Sequence, residues 1–435
     1  MKFAVRPFLV VFAAAALYAA EPEKPGAAAF DAAIQQLSND DFTIRESASN
    51  ALIKMSDDIA PALEAALPKA ADAETTSRIQ KILAGWPAGK VMWTFEAGFV
   101  FGLPVVADGR VYVGNKDMNF FCLDGETGKE IWKTPIGGMM FASPALSDGR
   151  VYVIRTRKDG SPDGTILCLS AKDGSQLWTW HGDDTQNFTA PMISDGRLFF
   201  GSEEKLICID AVKGKTLWEY SSPQTILAPP SIAEGKVLIG GLLDHALYCL
   251  SADSGKLLWN LNLGDSIPFG AAISGNRVFA GTHGGDVLCL ELDSGKKLWA
   301  VSAGLRVAAA PAVAKDRVYV GSESALHCLN ASTGAKLWQL DTGGTIYTSP
   351  AVSGNCVYVL SINNKLTLRC LNAADGKEHW TFETKESGYA TPVLCGRRLY
   401  VGYHSVFYCL RTGFPGPKSW PMTGGNPART NCNDE

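Results

Sequence analysis

The side chains most able to ligate a metal or act as a nucleophile are eleven cysteines and six histidines. Their spacing argues against both uses. Eight cysteines (Cys122, Cys168, Cys208, Cys249, Cys289, Cys328, Cys370 and Cys409) hold one position of a repeat. The chain contains no Cys-Cys pair and no Cys-x-x-Cys-His haem-attachment sequence. The histidines are His181, His245, His283, His327, His379 and His404. His245, His283 and His404 fall in equivalent turns of separate repeats, without metal-ligand spacing, and read as solvated turn residues. His181-Gly-Asp183-Asp184 has the composition of a Ca²⁺ loop, but an ordinary polar turn is the preferred reading. Gly-x-Ser-x-Gly, a P-loop and a dinucleotide fingerprint after a βαβ pattern are all absent.

The cysteines belong to a stretch that organises the chain. Cys289-Leu-Glu-Leu-Asp-Ser-Gly-Lys-Lys-Leu-Trp299 recurs at Cys122–Trp132, Cys168–Trp178, Cys208–Trp218, Cys249–Trp259, Cys328–Trp338 and Cys370–Trp380. Each Trp lies ten residues after its Cys, and a glycine always precedes the Trp by four. Successive Trp residues are 46, 40, 41, 40, 39 and 42 apart. A fixed period near 40 marks a repeat architecture. An eighth, worn copy begins at Cys409 and reaches Trp420 one residue late.

One unit shows what each repeat builds. Ser349–Gly354 is a short extended run ending in a turn, and Val357-Tyr-Val-Leu360 is β-branched and aromatic. Leu366–Leu371 is a third strand, Asn372–Gly376 carries turn chemistry, and Glu378–Phe382 is a fourth strand. Apolar residues alternate or run continuously and never follow a 3.6 period, which excludes a helical solenoid. Pro104, Pro144, Pro191, Pro230, Pro311, Pro350 and Pro392 each open a first strand, with Ala271 in the remaining slot. A residue without an N–H suits a strand end or edge. Val91–Glu96 is a Trp-bearing strand without three strands before it, while Tyr389–Leu410 supplies three strands without a fourth. Residues near 91–97 therefore complete the C-terminal blade. The expectation is an all-β eight-bladed β-propeller of four-stranded antiparallel blades over residues 91–420.

The pattern small-x-(Asp/Asn/Ser)-x-x-(Thr/Ser/Asp)-Gly-x-x-x-Trp resembles the tryptophan-docking repeat of PQQ-like, BamB-like β-propellers. That family spans quinoprotein dehydrogenases and non-enzymatic outer-membrane assembly factors. Trp-Asp repeats are the rival at this period, but none of the seven Trp is followed by Asp. The resemblance assigns Trp132, Trp178, Trp218, Trp259, Trp299, Trp338 and Trp380 to structural docking between blades. A quinoprotein would bring adjacent cysteines over the quinone, Ca²⁺ ligands, a Trp floor and a base. No positions here match that set, so no catalytic, cofactor-binding or metal residues carry over.

Blades pack about 10 Å apart, while a disulfide needs Cα atoms within about 7 Å. The repeat cysteines are therefore expected as buried thiols. Cys356 and Cys395 lie in adjacent repeats, and their pairing is left open.

Residues 1–20 carry Lys2 and Arg6, then an apolar run from Phe8 to Leu17 and small residues, the pattern of a secretory leader. The run is short for a membrane span, and no lipobox cysteine follows, so a soluble periplasmic or secreted protein is expected. The net charge of −4 becomes −6 once Lys2 and Arg6 leave with the leader, which argues against a nucleic-acid partner. Residues 21–29 read as a linker. Over 30–86 the period turns helical: Phe30, Ala33, Ile34 and Leu37, then Ile44, Ala48, Ala51, Leu52 and Met55, then Ile59, Leu63 and Leu67, then Ile79, Ile82 and Leu83. These paired helices resemble a small HEAT-like module. It serves either as a docking element or as an independent spacer. Residues 421–435 form a C-terminal tail, and Trp420–Thr430 reads as a strap across the ring.

One constellation is not accounted for by the repeat. Phe101, Phe141, Phe188, Leu227, Tyr347 and Tyr389 stand three residues before the first-strand prolines, with Pro268 and Ala308 in the other two slots. Met139 and Met140 lie beside them. Those connections share one face of a propeller. The five aromatics read either as packing between blades or as a partner-binding surface at the ring mouth. The function expected is a monomeric, exported, non-catalytic propeller serving as a protein-interaction scaffold in the cell envelope, without cofactor. The alternative is a PQQ- and Ca²⁺-dependent quinoprotein oxidoreductase. A polysaccharide-binding module ranks third, because nearly all Trp are committed to docking.

Overall fold

A computed structural model describes residues 27–54, 63, 66, 69–70, 72–84, 88–98, 103–140, 142–155, 164–182, 188–241, 244–267, 269–384, 391–403 and 405–413. The leader, the loop Asp183–Asp184, Phe101, Phe141, Tyr389, His404, Trp420 and the tail lie outside them. So does most of the third expected helix. Contacts divide the chain into two compact units, Met1–Gly85 and Trp86–Glu435.

Among the described residues of the first unit are three helices, α1 (Ala27–Gln36), α2 (Phe42–Lys54) and α3 (Ala73–Ala84). α1 begins inside the stretch read as linker, because the alanines Ala27–Ala29 favour helix. Ala33 of α1, Leu37 just past its end, Ala48 and Leu52 of α2, and Ile79 and Ile82 of α3 are buried as the apolar spacing predicts, whereas Ile44 and Ala51, expected on the same face of α2, are exposed. Asp41 caps α2 by accepting from the Thr43 N–H at 2.7 Å, and Asp72 caps α3 through Thr75 at 2.6 Å. Arg78 bridges Glu46 and Glu74 at 2.6 and 2.7 Å and ties α3 to α2. No described helix is long and apolar enough to cross a membrane.

The second unit is an eight-bladed propeller, each blade a four-stranded antiparallel sheet. Blades 1 to 7 run through residues 105–135, 145–181, 192–221, 231–262, 271–302, 312–341 and 351–384. Each prolines-first strand starts immediately after its Pro, as in Pro350 before Ala351–Ser353. Middle strands are almost wholly buried, while the fourth strands alternate half-buried and exposed, as in Lys336–Asp341. That gradient is what a ring of radially stacked sheets requires: two covered faces inside and one wet edge outside.

Blade 8 joins the two ends of the unit. Val91–Glu96 pairs with Val406–Arg411, which continues through Arg398–Tyr403 to Val393–Cys395. Trp93 stands opposite Cys409, as Trp338 stands opposite Cys328. The docking Trp of the eighth copy is therefore Trp93 and not Trp420. Gly89, four residues before Trp93, supplies the motif glycine. Its N–H donates to the Arg411 carbonyl at 2.8 Å. The repeat is split across the chain yet chemically whole.

Candidate functional site

The seams between blades come first, since they fix where every loop emerges. In each turn of blades 1 to 7, an Asx or Ser side chain holds the backbone: Asp124 Oδ1 accepts from the Thr127 N–H at 2.7 Å and from its hydroxyl at 2.8 Å. The following glycine is left-handed, Gly128 at φ 71°, and lies flat on the Trp93 ring, where a Cβ would stand 2.5 Å from Cε3. Gly376 rests on Trp338 in the same way, at 2.7 Å. Glycine is needed for the turn and for the contact. The indole N–H then donates to a carbonyl of the next blade: Trp218 to Ala252 at 3.1 Å, Trp259 to Leu292 at 2.9 Å, Trp299 to Ala331 at 3.1 Å and Trp380 to Thr412 at 2.9 Å.

A second donor was not legible in the spacing. In blades 1, 2, 6 and 8 a tyrosine of the second strand sends its hydroxyl to the carbonyl at that place. Tyr112 and Trp132 share Ala171, at 3.2 and 3.3 Å, and Tyr319 and Trp338 share Ala373, at 3.2 and 3.1 Å. In blade 2 only Tyr152 reaches its carbonyl, Ala211, at 3.2 Å. The buried Trp178 Nε1 has no hydrogen-bond partner among the described residues. The repeat cysteines sit beneath these rings as buried thiols. Burial pushes Cys122, Cys168, Cys208 and Cys249 up to about 12, so they stay protonated and unreactive. Cys356 and Cys395 are thiols as well, so the pairing left open does not form.

The connections from each fourth strand to the next first strand all emerge on the face that also carries the turns between second and third strands. One position on them is structural. Met140, Ile226, Val307 and Ile346, each four residues before a first-strand proline, are buried. Their side chains cover Gly114, Gly201, Gly281 and Gly321, the residues closing the second strands, so closely that a Cβ there would collide. The neighbouring position is the one singled out above, and it divides. Phe188 is half-buried and packs 6.0 Å from Phe200, a blade-packing role. Ala308 is fully buried. Leu227, by contrast, is 45 % exposed, and Leu305 on the blade 5–6 connection is 48 % exposed. Tyr347 is half-buried. Leu227, Leu305 and Tyr347 give this face its described apolar surface.

The described histidines form no metal-ligand group. His245 is a left-handed turn residue at φ 58°, His283 lies 5.9 Å from Phe269, and His327 is buried in a third strand. Among the described residues, no three His, Cys, Asp or Glu side chains gather as a metal-ligand set. The first strands that ring the axis carry small and aliphatic residues, such as Val105-Val106-Ala107 and Ala312-Val313-Ala314.

Fold and seams together define a tryptophan-docked, eight-bladed propeller. The chain belongs to the family of PQQ-like repeats described as "Outer membrane protein assembly factor BamB", which matches residues 78–192, 162–301, 243–324 and 294–406. It is 27 % identical over 189 residues to the outer membrane protein assembly factor BamB of Legionella pneumophila, covering 42 % of this chain and 48 % of the relative. It is 29 % identical over 110 residues to the quinoprotein alcohol dehydrogenase PedH of Pseudomonas putida, covering 22 % of this chain and 18 % of the relative. The alignments span less than half the length of the curated relatives. The crystal structure of BamB from Moraxella catarrhalis superposes with a TM-score of 0.63 at 17 % identity, over 74 % of this chain and 99 % of that one. That likeness shows the fold.

Proposed function

We propose that this protein is an exported, non-catalytic propeller that holds a protein partner in the cell envelope. The observation that carries the reading is the family match together with what the repeat residues do. Trp, Gly and Cys of the repeats, with Tyr112, Tyr152, Tyr319 and Tyr400, are committed to seams, so the conspicuous chemistry of the chain is structural and function falls to the loop faces. Leu227, Leu305 and Tyr347 offer apolar contact on the face of the blade connections. They make the described part of the candidate partner surface; Phe101, Phe141 and Tyr389, at the repeat position of Leu227 and Tyr347, lie outside the described residues. The leader-like residues 1–20 support export, and relatives named as outer membrane protein assembly factors support an assembly role.

The match to PedH keeps a quinoprotein as the second reading. The thermal midpoint with and without excess PQQ plus Ca²⁺ separates the two. A ligand at a hundred times its Kd adds about 2.7 kcal/mol, or a rise of a few degrees in a ring this size. The scaffold reading expects no saturable rise. A saturable rise establishes the quinoprotein.

A further inference from the structure

The outer part of each seam is closed by a pair of side chains. The residue two past the docking Trp of one blade faces the residue just before the repeat cysteine of the next. Phe95 and Phe121 meet edge to face at 5.3 Å, and Phe382 and Tyr408 meet at 5.7 Å. Between blades 2 and 3, Trp180 takes this place above Ile207, its indole N–H donating to Thr216 Oγ1 at 3.0 Å, and leaves a space of about 220 Å³. Between blades 5 and 6 the pair is Val301 and His327, one small and the other polar. There the seam opens into a groove of about 470 Å³, lined by Val301, Ala303, His327, Leu329, Lys336 and Gln339. That volume lies in the range of small-molecule sites.

The polar end of the groove is set by a hydrogen-bond chain. His327 is 6 % exposed, and its Nε2 lies 3.1 Å from Ser322 Oγ. The Ser322 hydroxyl donates its one proton to the Ala325 carbonyl at 3.1 Å and accepts from the Ala325 N–H at 3.3 Å. With the hydroxyl proton so placed, Nε2–H donates to Oγ and Nδ1 is the acceptor of a neutral ring. Burial lowers the His327 pKa, and Lys336 lowers it further, so the ring stays neutral at pH 7. Nδ1 has no hydrogen-bond partner among the described residues. Lys336 donates to Gln339 Oε1 at 3.2 Å and has two further N–H bonds.

We infer that this groove binds a neutral ring compound bearing a hydroxyl. The hydroxyl donates to His327 Nδ1 and accepts from Lys336, and the ring lies on Val301, Ala303 and Leu329. An anion has no proton for Nδ1, and a cation meets Lys336. The site is separate from the partner face and stands whether or not that reading holds.

The test uses the full chain labelled with ¹³C-histidine, tractable because the chain has six histidines, with the His327 signal assigned by His327→Phe. p-Cresol is the probe; toluene and p-toluate are the controls. Expected is a saturable shift of the His327 signal at millimolar p-cresol, at least tenfold weaker with either control. Val301→Phe, which installs the side chain found at the blade 8–1 and 7–8 seams, should abolish it. If that variant does not fold, Val301→Leu should weaken it. No His327 shift with p-cresol, equal shifts with toluene or p-toluate, or an unchanged response in the folded Val301 variant overturns the inference.

Discussion

The indole N–H of Trp93 donates to the carbonyl of Gly125 at 3.2 Å, and Tyr400, from the far end of the propeller, donates to the same oxygen at 3.2 Å. The two rings lie 5.9 Å apart. Residues more than three hundred positions apart thus converge on one acceptor in blade 1. Closing the ring there removes two sheet edges that would otherwise recruit other chains.

Truncation tests the closure. Deleting residues 1–85 should leave the propeller melting cooperatively at an unchanged midpoint. Deleting 1–97 removes the fourth strand of blade 8 and uncovers Phe407 and Tyr400. Loss of such aromatic packing costs about 3–5 kcal/mol, so the midpoint should fall by about 4–7 °C or the protein should aggregate. Calorimetry of the two deletions decides it.

Gly281 has no room for a side chain because Val307 covers it. Gly281→Ala should cost about 1–3 kcal/mol by overpacking. Combining it with Val307→Ala should recover part of that loss, a coupling that denaturant melts of the four-member cycle would reveal. Additive effects would mean that the connection does not rest on the glycine.

Tyr152→Phe and Tyr112→Phe remove the same hydroxyl in different settings. The Ala171 carbonyl keeps Trp132 as a donor, so Tyr112→Phe should cost about 1 kcal/mol. Trp178 does not replace Tyr152 at Ala211. Tyr152→Phe should therefore cost more, up to about 3 kcal/mol for a buried polar group left unmet. Equal costs in urea melts would contradict the asymmetry.

Thiol reactivity follows from burial. With pKa values near 12, only about one thiol in ten thousand is ionised at pH 8. Iodoacetamide should leave the eight repeat cysteines unmodified in the native protein, while half-buried Cys395 is the first described cysteine to react. Raising the pH should speed labelling of Cys395 well before the others. Peptide mass spectrometry reads the order, and early labelling of Cys122 or Cys208 would mean that the seams open.

Much of this fold was legible because docking leaves a spacing: Cys and Trp ten apart, Gly four before Trp, and a strand at Val91 lacking its blade. What the spacing hid was where the eighth motif ends. Gly89 and Trp93 stand at one end of the unit and Cys409 at the other, so a linear reading carried the copy on to Trp420. The tyrosine donors and the aliphatics over Gly114 and Gly281 escaped because apolar β-strand residues look alike until neighbours are known. The loop aromatics show the limit for function. Phe188 is spent on packing against Phe200, whereas Leu227, one blade on at the same repeat position, faces outward, and nothing in their sequence spacing separates the two.

The central claim is a protein partner on the face of the blade connections. Photo-cross-linking residues placed singly at Leu227 and Tyr347, with Leu298 on an exposed outer strand as the control, test it in the native envelope. One discrete protein adduct is expected from both Leu227 and Tyr347 and none from Leu298. An adduct from Leu298 alone, or none from any position in a folded, exported protein, would contradict it.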